Sequence, residues 1–74
     1  MSRKIVVHYR SNADQKWIAL DVHVTEITTA GELCVEIIKR LGLNMQQRVR
    51  LISGDTVLTD SDIVQGLVLV AQPD

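Results

Sequence analysis

The sequence predicts an α+β domain in which one helix lies across a mixed four- to five-stranded sheet, in the order ββαββ. Three observations carry this. Trp17-Ile18-Ala19-Leu20-Asp21-Val22-His23-Val24 alternates with a period of two, the pattern of a strand with one buried face. From residue 30 the period changes: Ala30, Leu33, Cys34, Ile37, Ile38 and Leu41 fall on one stripe of a helix. Residues 67–71 form an unbroken aliphatic run, which suits a strand covered on both faces in the middle of a sheet.

Each element has its own local signals. Ile5-Val6-Val7-His8-Tyr9 is β-branched and aromatic and predicts the first strand. Ser11-Asn12-Ala13-Asp14 has turn chemistry, so the first two strands form a hairpin. On the second strand Ile18, Leu20, Val22 and Val24 share the inward face. Thr28 or Thr29 can cap the helix, and Glu32 three residues after Thr29 suits a capping box. Glu32 and Glu36 early, with Lys39 and Arg40 late, complement the helix dipole. Gly42 is a natural stop, and Leu43 can fold back over the last turn. Residues 48–52 predict a third strand, with Val49 and Leu51 on one face. Ser53-Gly54-Asp55 is a tight turn, and Val57-Leu58 a short edge segment. Thr59-Asp60-Ser61-Asp62 starts a helical turn ending near Gln65-Gly66. The run 67–71 is the last strand, and Pro73 ends it. The expected sheet order is second, first, last, third. The expected core is Ile5, Val7, Ile18, Leu20, Val22, Leu33, Ile37, Leu41, Val49, Leu51, Leu67 and Leu69.

The chain has 74 residues, one cysteine and no phenylalanine, and 46% of it is hydrophobic. It is read as a single domain, 1–74. A chain this short buries only about 60% of its unfolded surface, and no internal disulfide helps it. Its stability rests on aliphatic burial. Cys34, His8 and His23 lack paired ligand spacing, so no metal or other cofactor is expected. The net charge of −1 argues against nucleic acid as a partner. The longest apolar run is far below the roughly 20 residues of a membrane span, and no signal-peptide apolar stretch follows the start. A lone cysteine fits a reducing compartment, so the expected location is cytoplasmic. No Ser or Asp sits in a nucleophile motif, and Gly54 is a turn glycine, not a phosphate loop. The expectation is a non-catalytic binding module.

Several segments, in order, resemble ubiquitin. Lys16-Trp17-Ile18-Ala19-Leu20-Asp21-Val22 is similar to its second strand, Lys-Thr-Ile-Thr-Leu-Glu-Val. Gln46-Gln47-Arg48-Val49-Arg50-Leu51 resembles Gln-Gln-Arg-Leu-Ile-Phe. Leu58-Thr59-Asp60-Ser61-Asp62-Ile63 resembles Leu-Ser-Asp-Tyr-Asn-Ile, and Leu67-Val68-Leu69-Val70 resembles Leu-His-Leu-Val. The resemblance implies a ubiquitin-like β-grasp fold and an adaptor role in protein–protein interaction. Two departures bear on function. The ending Ala71-Gln72-Pro73-Asp74 is no diglycine tail, so the resemblance implies no conjugation of the chain as it stands. Ubiquitin's exposed strand-three isoleucine, the centre of its binding patch, aligns with Arg50. β-Grasp ferredoxins need four cysteines for their cluster, and one cysteine excludes that branch. The helix, from Thr28-Thr29-Ala30 to Leu41-Gly42-Leu43, also looks like that of Ras-association domains and FERM first lobes. Those would bind a small GTPase or an adaptor. The YukD-like accessory proteins of bacterial type VII secretion are a third resemblance.

The remaining candidate for function is the outer face of the sheet. By alternation, Trp17, Ala19, Asp21 and His23 face outward from strand two, and Lys4, Val6 and His8 from strand one. Val68 and Val70 face outward from the last strand, and Arg48 and Arg50 from strand three. The predicted partner-binding residues are Val6, His8, Trp17, Arg48, Arg50, Val68 and Val70. An apolar centre with a charged rim is the anatomy of an interface. The expected partner is another protein, offering an acidic-amphipathic segment, within a larger chain or assembly. The second strand is also a sheet edge, to which a partner strand can add. Cys34, on the helix stripe, is expected to be a buried structural thiol.

Overall fold

The computed structural model describes residues 2–11, 15–44 and 46–73. The chain forms β1 (Arg3–Arg10), β2 (Trp17–Val24), α1 (Ala30–Leu41), β3 (Val49–Ser53), β4 (Thr56–Val57) and β5 (Val68–Pro73). The sheet order is β2-β1-β5-β3-β4, the order the sequence predicts with β4 added at the edge. β1 pairs antiparallel with β2 and parallel with β5, and β3 pairs antiparallel with β5 and β4. Asn12, Ala13 and Asp14 of the expected hairpin turn lie outside the described residues, as does Asp74. The flanks of that loop are tied by the Ser11 N–H on the Lys16 carbonyl at 3.2 Å.

Helix α1 starts and stops where its capping residues dictate. Its first N–H groups, which have no partner within the helix, are all taken. Ala30 donates to the Asp62 carbonyl at 2.8 Å and Gly31 to the Asp60 carbonyl at 3.1 Å. Glu32 donates to Thr29 Oγ1 at 3.3 Å, and Leu33 to the Thr29 carbonyl at 3.1 Å. Position 31 packs closely on the turn that carries Asp60: a Cβ there would lie 3.2 Å from the Asp60 carbonyl oxygen, a contact tight enough that the neighbour would have to shift by a few tenths of an ångström. At the other end Gly42 takes φ of 66°, a left-handed conformation that costs a glycine little. The Gly42 N–H reaches the Lys39 carbonyl, and Leu43 folds back to donate to Ile38 at 3.0 Å.

Four expectations are corrected. β3 begins at Val49, so Arg48 stands just outside it. The predicted helical turn at 59–66 is a hydrogen-bonded turn and an isolated bridge, Thr29 to Ile63. The reason is that the Asp60 and Asp62 carbonyls point at the N-terminus of α1 and cannot serve a helix of their own. The short edge strand is Thr56–Val57, with Leu58 just past it. The last strand runs two residues further than predicted, through Pro73. Its parallel ladder to β1 stops at Tyr9–Ala71, whereas its pairing to β3 continues to Val49–Pro73. The next donor toward β1 would be residue 73, and proline has no N–H. Pro73 thus ends one ladder and not the other.

The core lies between α1 and one face of the sheet. Ile5, Val7, Leu33, Ile37, Leu51, Leu69 and Ala71 are each at most 1% exposed, and Val22, Val24, Tyr9 and Ala30 join them. Leu20, Leu41 and Val49 are partly buried and pack against this cluster. Two expected core residues are not buried. Ile18 has the inward parity but is 40% exposed. The last turn of α1 reaches the β2 backbone at Asp21, so Ile18 lies beyond the end of the helix that would cover it. Leu67 is 66% exposed although its carbonyl accepts the Val6 N–H. At that end the buried place belongs to Val64, whose N–H donates to Thr28 and whose carbonyl accepts from the Arg3 guanidinium at 2.8 Å.

Candidate functional site

The face of the sheet away from α1 is set by strand parity and register. Residues paired across neighbouring strands point to the same side. One row along the strands therefore carries Ala19, His8, Val70, Ile52 and Val57. The row beside it carries Asp21, Val6 and Val68. On the other side stand the pairs Trp17–Arg10 and Gln72–Arg50. Val6, Val70 and Ile52 are half-buried by their neighbours, while Val68 and Val57 are more than half exposed. Together they form an apolar strip that crosses β1, β5, β3 and β4. No element of the described chain covers it.

The rim of this strip is polar and unevenly charged. Arg10 and Arg50 flank it on the side of Trp17 and Gln72. On the opposite side Lys4 lies 3.5 Å from Asp21, both well exposed, so that basic charge is largely answered in place. His8 stands inside the strip beside Val70. Trp17 is 54% exposed at one corner, with the Arg10 guanidinium 5.8 Å from its ring centroid. Arg10 is itself held by Gln15 Oε1. The tryptophan is thus an exposed, pre-positioned aromatic and is not folded into the core.

Of the predicted site residues, Val6, His8, Arg50, Val68 and Val70 share the outer face, with Trp17 at its corner. Arg48 precedes β3 and, with Arg50, Val57, Cys34, Val35 and Asp60, lines a groove of about 430 Å³ between α1 and β3. Ile52, Val57 and Arg10 belong to the face and were missing from the prediction. Period-two alternation from Arg50 finds Ile52, and from His8 it finds Arg10. Val57 follows only from the hairpin register, Ile52 opposite Val57.

Cys34 stands on the helix side of the sheet, and His8 lies in the strip on the other side. The Cys34 thiol is half-buried and donates to the Val49 carbonyl at 3.3 Å. Burial, with a smaller contribution from the Asp60 carboxylate, pushes its pKa up to about 11. A thiol held protonated at neutral pH is a poor nucleophile. Among the described residues, no helix is long and apolar enough to cross a membrane.

No protein-family model matches the sequence, and none of the curated proteins matches it. Solved structures do match. A chain of a complex of pParkin, pUb and UbcH7 superposes with a TM-score of 0.70 at 17% identity, over 96% of this chain and 23% of that one. The N-terminal ubiquitin-like domain of the 4931431F19Rik protein gives 0.64 at 23% identity, over 96% and 75% of the two chains. A computationally designed protein based on human erythrocytic ubiquitin gives 0.64 at 24% identity, over 95% and 91%. These likenesses, with one helix on the sheet order β2-β1-β5-β3-β4, show that the chain has the ubiquitin-like β-grasp fold.

Proposed function

We propose that this domain is a non-catalytic recognition module, and that the outer sheet face receives an acidic-amphipathic segment of another protein. One observation carries the reading. The strip Val6, Val68, Val70, Ile52 and Val57 is uncovered, and its flank toward Trp17 presents Arg10 and Arg50. Apolar area supplies binding free energy. The basic flank selects a partner with carboxylates and speeds its approach. Trp17, half in solvent, is the kind of residue that dominates interface energetics.

The fold provides the rigidity such a site needs. Val6, Val68, Val70 and Ile52 alternate with core residues on their own strands, so that part of the surface is held by Ile5, Val7, Leu51, Leu69 and Ala71 from behind. The reading includes action within a larger chain or assembly, in a reducing compartment such as the cytoplasm, where one free thiol is unremarkable.

The test uses a synthetic peptide alternating leucine and glutamate, followed through the fluorescence of Trp17, the one tryptophan. Saturable binding is expected. Arg50→Glu and Val70→Asp should each weaken it by about tenfold or more, roughly 1.4 kcal/mol, with unchanged circular dichroism. A flat titration, or variants that bind as well as the parent, would contradict the reading.

A further inference from the structure

A second feature lies at the edge of the sheet, away from the apolar strip. β2 is an outermost strand and the longest edge of the molecule. An edge of this length is a template for another strand. Which of its backbone groups face outward follows from the register. The Val6 N–H donates to Leu67 on the β5 side. Val6 therefore points its backbone groups away from β2, and its partner Asp21 points its own away from β1. The same holds for the partners of Lys4, His8 and Arg10, namely His23, Ala19 and Trp17.

One of these outward acceptors is already taken. Arg40 Nη1 donates to the Asp21 carbonyl at 2.8 Å. The guanidinium is fixed in that position by Glu36, one helical turn earlier, through Nε to Oε1 at 3.0 Å. Glu36 and Arg40 also line the groove between α1 and β2, beside Val22 and His23. A strand arriving along β2 must displace the guanidinium to reach the middle of the edge. The far side of the sheet is treated alike: the Cys34 thiol donates to the Val49 carbonyl where β4 is too short to cover β3. The helix thus reaches both margins of the sheet with a donor.

We infer that Arg40 is a guard that keeps β2 from pairing with β2 of a second copy of this chain. The occupant excluded is the chain itself, because an identical strand presents the same alternation. On such a strand the exposed Ile18 and Trp17, 40% and 54% exposed, flank the open end of the edge. Removing the guanidinium leaves Trp17, Ala19, Asp21 and His23 as a continuous row of outward donors and acceptors.

The experiment compares the parent chain with Arg40→Ala by sedimentation over increasing concentration and by amide hydrogen exchange. The parent is expected to stay monomeric. Arg40→Ala is expected to move from monomer to dimer, with exchange at Trp17, Ala19, Asp21 and His23 slowing about tenfold once the edge is paired. Adding Ala19→Pro, which removes an outward N–H without touching the β1 ladder, should restore the monomer. Glu36→Ala frees the guanidinium without deleting it and should give a smaller shift in the same direction; this variant serves if Arg40→Ala fails to fold. The inference is overturned if the parent already dimerises through β2. It is also overturned if folded Arg40→Ala or Glu36→Ala stays monomeric, or if association survives Ala19→Pro.

Discussion

The two faces of this sheet are made from alternate residues of the same strands, yet they differ in almost every physical respect. On the helix side Ile5, Val7, Leu51, Leu69 and Ala71 are excluded from water by α1. On the other side Val6, Val68, Val70 and Ile52 have comparable side chains, and none of the described elements forms a second layer over them. Aliphatic content therefore does not distinguish the faces; the covering layer does. The inner face holds the fold together, and its outer counterpart keeps its apolar area available for a partner. The contrast predicts that equal substitutions have unequal effects, large on stability for one face and large on recognition for the other.

The sharpest break comes from truncating the inner face. Leu51→Ala should cost about 2–5 kcal/mol, as buried leucine truncations do, and urea unfolding should show a large loss of the folded state. Val68→Ala, on the outer face of β5, should stay within about 0.5 kcal/mol of the parent in the same experiment. Equal losses at both positions would remove the distinction.

Trp17 comes next. Trp17→Ala should weaken binding of the acidic-amphipathic peptide by about 2 kcal/mol, read by calorimetry because the fluorophore is gone. Its effect on stability should be no more than about 1 kcal/mol, the scale of an exposed cation–π contact. A helix cap gives a smaller effect, on the inner side alone. Thr29→Ala removes the acceptor for the Glu32 N–H and should cost about 1 kcal/mol without changing peptide affinity.

The smallest effect is electrostatic. The folded pKa of Cys34 is raised from 9.0 to about 11, so the native state holds a proton that the unfolded state releases first. Stability from this source is complete below pH 9 and is lost as the pH rises from 9 through about 11. The thiol is partly open to solvent, so the loss is small. It should vanish in Cys34→Ala when thermal melts of the two proteins are compared across that range.

Much of this contrast can be read in the sequence because a period of two carries both faces at once. The alternation in β2 and the spacing of Ala30, Leu33 and Ile37 place the strand, the helix and the direction of each side chain. What cannot be read locally is where the covering layer ends. Ile18 has the parity of a core residue, but α1 stops short of it. Leu67 belongs to an aliphatic run, but Val64 takes the buried place. The turn at 59–66 reads as helical from its capping residues, and only the tertiary use of the Asp60 and Asp62 carbonyls shows otherwise. On the outer face, Val57 enters the strip through the register of a two-residue strand, which no local pattern specifies. Arg40 on the β2 edge is a contact between residues distant in sequence and is equally invisible there.

The most direct measurement is a shift map. Amide spectra of the labelled chain, titrated with the leucine–glutamate peptide, should move at Val6, His8, Arg50, Ile52, Val68 and Val70. The resonances of α1, those of its buried Leu33 and Ile37 included, should stay in place. Shifts confined to α1 or to the β2 edge, or the same outer-face shifts persisting in Arg50→Glu, would contradict recognition through the outer face.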